Sequence, residues 1–118
     1  MIAERRKKKR IRLTRGLTAR FGSMGAVILD ITDAGARIEH FDRLDVRKKA
    51  LFRFEWHQKP IETTAQVISS GERHVANGKT VYQSGLSFTE YADDSANRLR
   101  DLLESIENED AKPPGGKT

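Results

Sequence analysis

Cysteine is absent from the 118 residues. That excludes disulfides, thiolate nucleophiles and cysteine-based metal centres. Also missing is any run of about 18 apolar residues, so no membrane span is expected. The N-terminus is basic but has no apolar stretch behind it, and it does not read as a secretory signal. Catalytic groups are scarce. Histidine occurs three times, at His40, His57 and His74. No two of these stand at i, i+4, so no helical metal pair exists, and all three are expected in exposed loops or at loop edges. The chain has no GxxxxGK[ST], no GxGxxG and no GxSxG elbow. Asp30 and Asp33 share a loop, yet nothing in the sequence fixes the separation a paired-carboxylate hydrolase needs. These absences point away from an enzyme and from any metal or cofactor.

The length suits one domain with a modest core. Hydrophobic residues make up 36% and charged residues 33% of the chain, as in a soluble globular domain with charged ends. The net charge of +5 comes from 22 basic and 17 acidic residues, and it is unevenly placed. Residues 1–20 hold nine basic side chains against the single acid Glu4, a net +8, so the remaining 98 residues carry −3. A mildly acidic body therefore carries a basic arm. Self-repulsion along Arg5–Arg10 favours an extended, solvated segment until an anion arrives. Nucleic acid, an anionic membrane surface and a compact phosphorylated ligand all fit that charge, as does a plain solubilising tail.

Hydrophobic periodicity organises the rest. Residues 11–21 read as a long extended segment with Gly16 marking a bend or bulge. After a turn at Gly22–Gly25, Ala26–Leu29 is a buried strand, and Ala36–Glu39 a short one beyond the polar turn Asp30–Gly35. Phe41–Lys49 reads as loop. In the next strand Ala50, Phe52, Phe54 and Trp56 share one face, with Arg53 and Glu55 on the other. A turn at His57–Pro60 leads to a strand over Ile61–Ser70, a loop over Gly71–Gly78, and a last strand over Thr80–Phe88. The period then changes: Leu99, Leu102, Leu103 and Ile106 form one helical stripe, with Asp93, Asp94 and Ser95 at its start. The expected fold is mainly β, a six-stranded antiparallel barrel with a C-terminal α-helix covering one mouth. Residues 1–10 form a flexible basic arm, 11–107 the barrel and helix, and 108–118 a disordered Pro/Gly-rich tail.

Two features serve no core. One is Arg6-Lys7-Lys8-Lys9-Arg10, an RxxxR spacing just before the first strand. The frame Arg5/Lys9 has the same spacing, but lysine lacks the planar fork. The other is Asp30-Ile31-Thr32-Asp33-Ala34-Gly35, a DxTxxG turn after the second strand. An antiparallel first hairpin brings the root of the arm back beside that turn. An arginine fork can bond guanine O6 and N7 or clamp a phosphate. A carboxylate can accept from guanine N1 and N2, a hydroxyl can bond a phosphate, and glycine allows close approach. Such a site suits an anionic guanine nucleotide, with nothing present to cleave it.

In the order and spacing of these motifs the sequence resembles a PilZ domain, the bacterial receptor for cyclic di-GMP. That family carries RxxxR at its N-terminal edge and (D/N)xSxxG one hairpin later. Gly85-Leu86-Ser87-Phe88 resembles its late-strand glycine and aromatic, and a helix after the barrel is typical. The likeness covers about residues 5–107. It implies that Arg6 and Arg10 grip guanine and phosphate, that Asp30 accepts from a guanine edge, that Thr32 stands in place of the family's serine, and that Gly35 keeps the turn tight beside the ligand. Arg5, just before the motif, implies two stacked ligand molecules. Arg37 and Gly85 are further candidates. The implied protein is a cytoplasmic cyclic di-GMP receptor whose arm orders on binding and signals to a downstream protein, in motility or exopolysaccharide output. Specific nucleic-acid binding is not expected. A ligand-free adaptor of the same fold, or a nucleic-acid module using the arm, are the alternatives.

Overall fold

The computed structural model describes residues 11–111, so the basic arm with Arg5, Arg6 and Arg10, and the end of the tail, lie outside the described residues. Six strands and one helix follow in order: β1 (Ile11–Phe21), β2 (Met24–Ile31), β3 (Gly35–His40), β4 (Lys49–Trp56), β5 (Lys59–Ala76), β6 (Lys79–Tyr91) and α1 (Ser95–Ala111). All strand pairs are antiparallel and the sheet closes in the order β1-β2-β3-β6-β5-β4. Closure rests on Ala19, Arg20 and Phe21 of β1 opposite Phe54, Arg53 and Phe52 of β4.

The alternation expected of β4 is present, with Phe52 and Phe54 buried and Leu51, Arg53 and Glu55 exposed. The interior packs Ile28, Ile31, Ile38, Phe52, Ile61, Val67 and Leu86. From α1, Leu99 and Leu102 enter the same cluster, with Leu103 and Ile106 against its margin, so the helix seals that core. The start of α1 is pinned to β5: Ser95 Oγ accepts from Glu62 N at 2.8 Å, and Arg98 Nη1 donates to Pro60 O at 2.8 Å. The helical backbone continues to Ala111, so residues 108–111 belong to the helix rather than to the expected tail.

Two further expectations are corrected. The loop expected over Gly71–Gly78 is a β-ribbon, with β5 running to Ala76 and β6 starting at Lys79. Only Asn77 and Gly78 form the turn, both at positive φ (52° and 79°), as a type I′ hairpin requires. The ribbon escaped detection because residues 71–75 are exposed on both faces, which erases the period-2 signal. His40, expected in an exposed loop, is 3% exposed at the end of β3. Its Nδ1 lies 2.7 Å from Asp42 O and its Nε2 2.6 Å from Ser84 Oγ, which in turn lies 2.8 Å from Ser70 Oγ. A carbonyl only accepts, so Nδ1 carries a proton toward Asp42 O.

Burial holds His40 below its ordinary pKa of 6.5, against the opposing pull of the Asp42 carbonyl and the Asp42 and Glu39 carboxylates. The unfolded chain therefore takes up this proton first. The stability tied to neutral His40 is complete above pH 6.5 and is lost as the pH falls through the lower folded-state value. Urea denaturation midpoints should decline from about pH 7.5 to about pH 5.5, and His40→Gln should reduce that decline. An equal decline in the variant would remove His40 from the account.

Candidate functional site

Strict alternation along β2 would place Asp30 with Ala26 and Ile28 on the core face. The register prevents it. Ile28 pairs with Ile38, but Asp30 pairs with Arg37 and Ile31 with Ala36. This one-residue bulge turns Asp30 onto the outer face and hands the core position to Ile31. Asp30 Oδ2 there accepts from Arg37 Nε at 3.0 Å and Nη2 at 2.7 Å. The Asp30 side chain is 4% exposed and that of Arg37 38%. A nearly buried carboxylate is thus oriented by a cation that still reaches solvent.

The turn between β2 and β3 is held by Thr32. Its Oγ1 accepts from the backbone N–H of Ala34 and of Gly35, each at 3.0 Å, while Thr32 N donates to Gly35 O at 2.8 Å. The hydroxyl assigned from the motif to ligand contact is therefore engaged in shaping the turn, a common use of Ser and Thr. Gly35 faces neighbouring backbone: a β-carbon there would stand 2.1 Å from Leu86 O. Phe88 N donates to Ala34 O at 2.8 Å, and the Tyr91 hydroxyl donates to Asp33 O at 2.5 Å. Burial, aided by the Asp33 carboxylate, pushes the Tyr91 phenol up to about 12, so it stays a donor at neutral pH. The motif alone did not single out Tyr91, since a terminal strand aromatic reads as ordinary core.

β1 completes the arrangement. Ile11 pairs with Ile31 and Arg12 with Asp30, so the arm joins the barrel beside the Asp30–Gly35 turn, as the hairpin argument expected. The register between Arg12 and Leu17 is irregular. Gly16 lies within that stretch, where a β-carbon would stand 2.3 Å from Val27 Cγ1. On the far side of Arg37, Gly85 is its cross-strand partner in β6. The structure thus brings Asp30, Thr32, Gly35, Arg37 and Gly85 to one end and outer face of the sheet. A cleft of about 950 Å³ lies at the opposite end of these strands, bordered by Met24, Gly25, Phe41 and His74, and none of the five candidates lines it. Among the described residues no helix is long and apolar enough to cross a membrane.

No protein-family model and no curated protein sequence matches this chain. Solved structures do. The PilZ domain of YcgR from Escherichia coli, determined with c-di-GMP, matches with a TM-score of 0.72 and 19% identity over 97% of this chain and 99% of that one. The Borreliella burgdorferi PlzA protein, in complex with c-di-GMP, matches with a TM-score of 0.52 and 13% identity over 94% of this chain and 56% of that one. This chain therefore has the PilZ fold, a closed six-stranded antiparallel barrel with a C-terminal helix.

Proposed function

We propose that this protein is a cytoplasmic receptor for cyclic di-GMP and not an enzyme. The observation that carries the reading is the placement of Asp30: a bulge brings it out of the core, Arg37 orients it, and it sits where the basic arm joins the barrel. The two similar structures, both described with c-di-GMP, support the same ligand. Asp30 accepts from the N1 and N2 donors of a guanine. Arg6 and Arg10 close from the arm on guanine O6 and N7 and on phosphate. Arg5 supports a second, stacked ligand molecule. Thr32 and Gly35 keep the turn in shape. Binding orders the arm against the barrel, and a downstream protein reads the altered surface.

Calorimetric titration of the chain with cyclic di-GMP at physiological salt should give a Kd tighter than about 100 µM, about −5.5 kcal/mol, with two ligands per chain. Arg6→Ala and Arg10→Ala should each weaken it severely. No binding in that range would overturn the receptor reading in favour of the ligand-free adaptor. Salt-steep binding of any polynucleotide instead would favour the nucleic-acid module.

A further inference from the structure

Among the described residues five large apolar side chains are exposed, and one of them, Ile68 at 60% exposure, adjoins the candidate site. Val67 pairs with Leu86 and Ser69 with Gly85, which leaves Ile68 as an extra residue in β5. A bulge of this kind re-aims a side chain that regular alternation would place elsewhere. Ser69 shares the outer face with Gly85, its cross-strand partner. Ile68 leans onto the same spot: its Cγ1 and Cδ1 lie 3.5 and 4.0 Å from where a β-carbon on Gly85 would stand.

The outer face then carries a continuous row. Asp30 of β2 pairs with Arg37 of β3, Arg37 with Gly85 of β6, and Gly85 with Ser69 of β5. Three interstrand steps span about 14 Å. The row begins with an acid held by a guanidinium, continues over a glycine and ends at Ser69, with the bulged Ile68 beside it facing water. Gly85 adds no side chain of its own, and the Ser69 hydroxyl, 2.8 Å from where its β-carbon would stand, can rotate aside to let a planar ring approach. Arg37 offers a cation and Ile68 an apolar wall on either side of Gly85. Exposure of Ile68 gains nothing for the barrel, whose core it does not join.

We propose that Ile68 is the apolar wall of the ligand site, against which one guanine ring packs over Gly85 and beside Arg37. The assignment rests on the cyclic di-GMP reading above and adds to it a residue that neither motif contains. Calorimetry on the full chain tests it. Ile68→Ala should weaken cyclic di-GMP binding about tenfold, the loss expected when a few buried carbons are removed. Ile68→Asp should weaken it further, because the apolar contact is lost and a negative charge is placed beside an anionic ligand. Val75→Ala, on the same strand and 68% exposed, should bind as wild type does. Thermal melts of all three should match the wild type, separating lost contact from lost fold. Wild-type binding together with unchanged affinity in both Ile68 variants would overturn this assignment alone. No binding by the wild type would overturn it together with the receptor reading.

Discussion

Asp30→Ala is expected to fold and to bind cyclic di-GMP at least about a hundredfold more weakly than the wild-type chain. A hydrogen bond to a charged acceptor contributes about 1.5–3 kcal/mol, and guanine N1 and N2 offer two donors to one carboxylate. Losing both amounts to about 3 kcal/mol or more, and each 1.4 kcal/mol is tenfold in affinity. The cost to folding is smaller. Arg37 loses its acceptor, but its side chain is 38% exposed, so the guanidinium can turn into water instead of remaining buried and unpaired. Screening at that exposure limits the loss to about 1–2 kcal/mol. Asp30→Asn should lie between, since an amide oxygen can still accept from Arg37 and from one guanine donor. Calorimetry paired with thermal melts reads both quantities. Wild-type affinity in Asp30→Ala would show that the ligand does not use this carboxylate.

The same residue shows how far a sequence can be read. The DxTxxG spacing drew attention to Asp30, but its orientation was not legible. The sequence places it in a polar turn outside the core, whereas it belongs to the end of β2, where regular alternation would turn it inward and the bulge between Ile28 and Asp30 turns it out. A bulge is a tertiary compromise between neighbouring strands and has no local sequence mark here. The bulge at Ile68 escaped for the same reason. By contrast β4 and α1 were legible because each buries one face only, so that pattern and structure coincide. The ribbon at residues 71–76 buries neither face, and its polar residues read as loop. The burial of His40 is not legible in the sequence, because the partner it meets inside, Ser84, stands 44 residues away. The arm's arginines were legible only as charge and spacing, and they lie outside the described residues.

Gly35→Ala is expected to cost more stability than any other single methyl addition at a described glycine in a strand. The new β-carbon would stand 2.1 Å from Leu86 O and 3.2 Å from Leu86 C. Both atoms are backbone, so no rotamer change relieves the clash and β3 must separate from β6 where Gly35 pairs with Ser87. That movement strains the bonds from Ala34 N and Gly35 N to Thr32 Oγ1 and from Phe88 N to Ala34 O. Overpacking costs about 1–3 kcal/mol, and each of the three strained bonds adds about 1 kcal/mol, for at least about 4 kcal/mol in a domain of marginal stability. At about 4–8 °C per kcal/mol, the midpoint should fall by at least about 15 °C. Gly85→Ala is the matched control. Its β-carbon would meet Ser69 Oγ at 2.8 Å, a hydroxyl that can rotate away, so its melt should shift by only a few degrees while its ligand affinity falls. Thermal denaturation followed by circular dichroism distinguishes the two. A near-wild-type melt for Gly35→Ala would mean that β3 and β6 can part locally. The motif glycine would then serve ligand approach, as the family pattern implies, rather than the close approach of two strands that positions Asp30, Arg37 and Gly85 in one row.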